Sequence, residues 1–165
     1  MKTLLVVRHA KSSWERFDQP DIERPLNDRG KKDAPEMAQR LKEKNIKVDL
    51  FVSSPAKRAK KTAKLFAEEY KVDKDDILIR EELYEPRVDN FYNVAISLPD
   101  KANVIALFSH NPGITEFVNT LTNVRIDDMP TCGIFAVSAD TDNWSEFKEA
   151  SKQFLFFDYP KNPLT

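Results

Sequence analysis

The sequence is short of several things, and each shortage removes a class of explanation. It has one cysteine, Cys132, so no disulfide can form within the chain, and a reducing setting is the natural one. Cysteine phosphatases carry an arginine six positions after the nucleophile; here Ser138 stands at that place, and Cys132 reads as a small strand residue. Only three glycines are present, and none forms a Gly-rich phosphate loop. The two histidines, His9 and His110, lack a cysteine or carboxylate cluster at ligand spacing. That argues against a zinc site and leaves a di-histidine site as the metal alternative. Charge of either sign is also lacking in excess: 26 basic residues face 27 acidic ones, for a net charge of −1. General nucleic-acid affinity leans on a basic face and is not expected. The run Lys57-Arg58-Ala59-Lys60-Lys61 is local and, Arg58 apart, reads as a solvated helix face. No apolar run approaches the roughly 18 residues of a membrane span. Met1-Lys2-Thr3 and four apolar residues mimic a signal peptide, but Arg8-His9 cut the run short of an h-region of about 7–15 residues. The expectation is a cytoplasmic protein with no membrane or nucleic-acid partner. Its 165 residues suit one domain, spanning 1–165, with no repeats or linkers. A chain of this size buries roughly 68–70% of its unfolded surface, so its core needs no disulfide or metal.

What the chain does have is a set of short apolar runs that end in reactive side chains. Leu4-Leu5-Val6-Val7 lacks period-2 alternation and contains β-branched residues, the pattern of a strand buried on both faces. It stops at Arg8-His9. In an open α/β sheet, ligands bind outside the carboxyl ends of the strands. A guanidinium fork suited to phosphate or carboxylate and an imidazole able to act as a nucleophile therefore stand where a substrate is expected. Alone, an Arg-His pair is more readily a polar strand end. Two later stretches repeat the order strand, polar turn, helix start: Ser53-Ser54-Pro55-Ala56-Lys57-Arg58-Ala59 and Phe108-Ser109-His110-Asn111-Pro112.

The pattern predicts strands over 2–8, 48–52, 77–79, 102–108 and 131–138, and an edge strand within 144–157. Helices are expected up to about Lys44, over 56–70 and 88–98, and from 111 with Pro112 at the first helical position. The first helix has two possible starts. Asn27 caps it, or it begins near Ala34 with Asp33 and Glu36 as a capping box and Pro35 in the first turn. Its stripe is Ala34, Met37, Ala38 and Leu41. Residues 10–30 read as a long loop bordering the site, since such loops are usually functional or disordered. Arg58 falls in a helix's first turn, where a cation is disfavoured unless an anion joins it. Residues 158–165 are expected to lie extended on the surface.

Arg8-His9, the Ser-Ser-Pro-x-x-Arg-Ala turn ending in Arg58, and Ser109-His110 together resemble the histidine phosphatase, or phosphoglycerate mutase-like, superfamily. Arg24-Pro25-Leu26, Gly30 and the short length look most like its SixA-type phosphohistidine phosphatase branch. The resemblance runs from Met1 to about Ser138. It implies a three-layer α/β/α fold with a mostly parallel central sheet. It also implies a phosphatase that needs no metal or cofactor and works through a phosphorylated His9. Arg8, Arg58 and His110 would grip the phosphoryl group, with Arg24 and Asn111 as further substrate contacts. In mutase-like relatives an acidic residue supplies a proton; Glu85 is the nearest positional match, while SixA-like relatives tend to lack that acid.

No insertion long enough for a lid domain separates the strands, so a shallow site is expected, suited to a phosphate displayed on a protein. A phosphohistidine leaving group departs once solvent protonates its free nitrogen, whereas an alkoxide needs an enzymic acid far more. The expected substrate is phosphohistidine on a signalling or phosphotransfer protein. The alternatives are a phosphomonoesterase acting on a small metabolite with Glu85 or Asp18 as acid, and a module that binds phosphate without turnover.

Overall fold

The apolar runs 4–7, 105–108 and 134–137 become strands whose residues bury on both faces. The computed structural model describes residues 1–163. Strands β1 (Lys2–Arg8), β2 (Leu50–Ser53), β3 (Leu78–Ile79), β4 (Val104–Ser109), β5 (Ile134–Ala139) and β6 (Lys152–Asp158) form one sheet in the order β3-β2-β4-β1-β5-β6. The β1–β4, β2–β4 and β2–β3 pairs are parallel, and β5 runs antiparallel to both neighbours. Helices α1 (Asp28–Glu43) and α2 (Lys57–Glu69) belong to one face, with α3 (Val88–Ile96) and α4 (Gly113–Leu121) on the other. The alternation of β1 sorts its side chains accordingly. Leu5 and Val7 join Met37, Leu41 and Phe66, while Leu4 and Val6 join Phe91, Phe117 and Val118. This is the three-layer α/β/α arrangement with a mostly parallel sheet that the sequence implies. No helix among the described residues is long and apolar enough to cross a membrane.

Register brings the chemistry to one edge. Arg8 is opposite Ser109, and Ser53 is opposite Phe108, so β1, β2 and β4 end together. The alignment continues past the strands: His9 N–H donates to Ser109 O at 3.1 Å, and Ser54 N–H to Phe108 O at 3.0 Å.

Several local expectations are corrected. Of the two possible starts for α1, Asn27 is the one realised: its side chain accepts from Gly30 N–H at 2.9 Å, and Pro35 lies inside the helix. The hydrogen bond that Pro35 cannot make is offset by the buried stripe of Ala34, Met37, Ala38 and Leu41. Pro112 caps α4 rather than opening it. Cys132 is not a strand residue. It sits before β5 at φ 60°, where its N–H reaches both Arg8 O and His9 O at 3.1 Å. The chain end turns instead of lying extended, because buried Arg40 gathers Asp158 Oδ1 and the carbonyls of Tyr159, Pro160 and Asn162. Leu164 and Thr165, the last residues of that stretch, lie outside the described residues.

Candidate active site

The aligned strand ends border a cavity of about 390 Å³ lined by Arg8, His9, Arg24, Arg58, Glu85, His110 and Asn111, all the residues singled out from the sequence save Asp18. Lys11, Ser12, Trp14, Asp21, Tyr84 and Thr131 complete the wall. The site is deeper than the lack of a lid domain implies. His9, Arg58 and His110 are only 6%, 5% and 4% exposed, in a cavity to which the loop after His9 also contributes Trp14, Asp21 and Arg24.

His9 has a defined tautomer. Its Nδ1 lies 2.7 Å from Ala10 O, which can only accept, so Nδ1 carries the proton and Nε2 keeps a lone pair. Arg58 Nε–H points at that lone pair from 3.4 Å. Ala10 is itself held, because its N–H donates to Thr62 Oγ1 at 3.0 Å, and the Thr62 hydroxyl donates to Arg58 O. Helix α2 thus fixes both the imidazole's support and the guanidinium facing it. Burial, followed by the charges of Arg58, Arg8 and Arg24, lowers the His9 pKa to about 3, against the raising effect of the Ala10 hydrogen bond.

His110 faces His9 with ring centroids 5.1 Å apart. Its Nε2 pairs with Ser54 Oγ at 2.7 Å, and Ser54 Oγ also accepts from Ala56 N–H. Its Nδ1 is buried without a partner, as is Arg8 Nε. Two side chains of one cavity therefore hold buried, unpaired polar atoms. Burial, then the nearby His9 and Arg58, lowers the His110 pKa to about 2.

Both imidazoles are neutral in the folded chain, whereas an unfolded histidine titrates near 6.5. Below that value the unfolded chain binds more protons, so stability is intact above about pH 6.5 and is lost as pH falls. Near pH 5 the two groups together should lower the unfolding free energy by about 2.7 kcal/mol per pH unit. Denaturant titrations from neutral to mildly acidic pH should show this slope, and a variant lacking both histidines should lose it. An unchanged slope in that variant would assign the acid sensitivity elsewhere.

Asp21 was not apparent from the sequence, yet it is the hub of the cavity wall. It lies in a short 3-10 turn, Asp21–Glu23. Its carboxylate accepts from Arg24 Nε at 3.1 Å, Arg58 NH2 at 3.0 Å and the Tyr84 hydroxyl at 2.7 Å, while its carbonyl accepts from Arg58 NH1 at 2.7 Å. Burial raises its pKa, but the hydrogen bonds from Tyr84 and Arg24 and the charge of Arg58 outweigh this and hold it at about 2. Burial and the Asp21 carboxylate push the Tyr84 hydroxyl up to about 12. Asp21 therefore occupies Arg58 donors that an external anion would use. Asp21→Asn should tighten inorganic phosphate binding by about three- to tenfold, a range discounted for its half-exposed position. Titration calorimetry checks this; weaker binding would show that orienting Arg58 matters more than freeing it.

Arg24 and Asn111, the expected further substrate contacts, and Glu85, the nearest match to an acid, reach the same cavity. Arg24 is buried and stacks on Trp14, with its guanidinium carbon 3.5 Å from the ring centre, and bonds to Ser12 and Asp21. Asn111 lines the cavity, but its amide is committed: Nδ2 donates to Asp128 and Met129 O, and Oδ1 accepts from Thr115. It secures the Met129 carbonyl that anchors Arg8 NH1 at 2.8 Å. Glu85 reaches the wall from an exposed turn residue at φ 48°. Among the described residues no three His, Cys, Asp or Glu side chains cluster as metal ligands would.

Solved structures share this architecture. A protein assigned as a phosphohistidine phosphatase SixA from Agrobacterium tumefaciens aligns over 96% of this chain and 98% of its own, with a TM-score of 0.80 and 20% identity. The protein histidine phosphatase SixA complexed with tungstate aligns over 96% and 97%, with a TM-score of 0.79 and 20% identity. An uncharacterised chloroplast protein of Arabidopsis thaliana is 27% identical over 88% of this chain and 70% of its own length. The profile of the histidine phosphatase superfamily (branch 1) matches residues 4–95, the span that holds Arg8, His9, Arg24, Arg58 and Glu85. With more than half of its length inside that match, the chain belongs to the histidine phosphatase superfamily.

Proposed function

We propose that the chain is a phosphatase that takes a phosphoryl group onto His9 Nε2 and passes it to water, acting on phosphohistidine of a signalling or phosphotransfer protein in the cytoplasm. The observation that carries this reading is the His9–Ala10 hydrogen bond, which leaves a neutral imidazole with its lone pair turned towards Arg58. In-line attack forms the Nε2–P bond as the substrate's P–N bond breaks. The electron pair returns to the departing imidazole, whose other nitrogen takes a proton from solvent. Water then attacks phosphorus, the Nε2–P bond breaks, and inorganic phosphate leaves. Arg8, Arg58 and His110 stabilise the charge that spreads over the non-bridging oxygens. The tungstate found in a structural relative is a tetrahedral oxyanion of phosphate's shape, which supports the same use of this cavity.

The substrate class follows from proton supply. Asp21, held ionised with a pKa of about 2, cannot protonate a leaving group near neutral pH. Glu85 is the other carboxylate of the wall. If Glu85, on its exposed turn, does not serve as an acid, the site favours an imidazole leaving group over an alkoxide by about 10²–10⁴-fold. The native protein should therefore show that preference in kcat/KM for a phosphohistidine peptide over a phosphoserine peptide. Glu85→Gln should leave phosphohistidine turnover within about twofold, since only an alkoxide leaving group calls for an enzymic acid. Equal rates on both peptides, with a large Glu85→Gln loss on phosphoserine, would return the function to phosphomonoester hydrolysis.

A further inference from the structure

The outer face of α2 carries an uncompensated stripe of positive charge. Lys57, Lys60, Lys61 and Lys64 recur at i, i+3, i+4 and i+7, so they share one face. The opposite face, with Ala59, Thr62, Ala63 and Phe66, is buried in the core. Like charges at these spacings oppose helix formation, and Lys57 adds a cation to a helix N-terminus that already disfavours one. The four lysines, with Lys31 of α1, Pro25 and Leu26, line a cavity of about 430 Å³ that has no carboxylate in its wall. Among the described residues none of these five lysines has a carboxylate within 4.0 Å. A neighbouring hollow shares Lys60 and Lys64 and contains Lys74, with Asp75 as its one acid.

This groove adjoins the candidate active site at two points in the chain. Arg24 lines the active cavity and Pro25 lines the groove; Arg58 lines the active cavity and Lys57 lines the groove. Along α2, Lys60 to Lys64 sit roughly 3–9 Å beyond Arg58. Acidic residues three to five positions from a phosphorylated side chain, at about 3.3 Å per extended residue, reach that stripe.

The geometry points to the outer face of α2 as a docking surface for the acidic flank of a phosphorylated protein substrate, an inference that rests on the phosphatase reading above. Charge complementarity names the occupant: the groove offers unpaired ammonium groups, and an acidic segment supplies the missing carboxylates. The whole-chain charge of −1 and the confinement of the stripe to one helix face disfavour a nucleic acid or an anionic membrane. The interaction steers encounter and selects among phosphorylated proteins, while the chemistry stays with His9.

Two synthetic phosphohistidine peptides test it, one with glutamates three to five positions either side of the histidine and one with serines there. Binding is measured to the full-length His9→Ala protein, which removes turnover. At about 0.01 M salt the glutamate peptide should bind about tenfold more tightly, and at about 1 M salt, where the screening length is about 3 Å, the two should bind equally. Lys60→Glu with Lys64→Glu should reverse the preference at low salt and leave aryl phosphate hydrolysis by an otherwise native protein unchanged. Equal affinities at low salt would overturn the inference. So would an unaltered preference in the double variant, or tighter binding of a DNA duplex or phosphatidylserine vesicles than of the glutamate peptide. Failure of the phosphohistidine reading shows separately, as absence of phosphate release from either peptide by native protein.

Discussion

Replacing His9 with alanine is expected to lower kcat on every phosphorylated substrate by at least about 10⁴-fold, while inorganic phosphate affinity stays within a few-fold. The asymmetry follows from the geometry. His9 presents one lone pair, on Nε2, because Nδ1 is tied to Ala10 O. Removing it deletes the atom proposed to form the bond to phosphorus but leaves Arg8, Arg58 and His110 around the cavity. Single-turnover kinetics and titration calorimetry separate the two effects. A loss of less than about tenfold would mean that water attacks the substrate directly and that His9 only helps to hold it.

The second large effect is expected at Arg58. Lysine preserves the charge but not the fork. Arg58 directs Nε–H to His9 Nε2 and both terminal nitrogens to Asp21, and an ammonium cannot hold three such directions at once. Arg58→Lys should lower kcat by about 10²–10³-fold, the range for losing one preorganised donor. KM should change much less, because charge attraction to the phosphoryl group remains. Thermal unfolding of the same variant controls for loss of structure, since Arg58 is buried. A kcat within about threefold of native would show that positive charge alone suffices at this place.

The edge of the sheet that borders the candidate site was legible because its polar residues stand at strand ends. Val7-Arg8-His9, Val52-Ser53-Ser54 and Phe108-Ser109-His110 each turn from apolar to polar at one point, and parallel pairing brings those points side by side. Helix stripes were legible for the same reason, in that Ala34, Met37, Ala38 and Leu41 have one period and one place to go. What stayed hidden depends on contacts between residues far apart in sequence. Asp21 gains its role from Arg58, 37 positions on, and from Tyr84, 63 positions on. The available signal was weak: an acid three residues before Arg24, within a long loop that follows His9. The Ala10–Thr62 support and the commitment of Asn111 to the 128–129 turn have the same character. Gly30 could be noted but not explained, since only the fold shows that a Cβ there would collide with Lys11 O.

The most direct test of the account is to trap the intermediate. Native protein is mixed with a phosphohistidine peptide, quenched in alkali within the first turnover, digested, and examined by mass spectrometry. A transient phosphoryl group is expected on His9, formed and lost at least as fast as steady-state turnover, and absent from the His9→Ala protein. Turnover of the peptide at the native rate with no phosphoryl group on His9 at any time would contradict it.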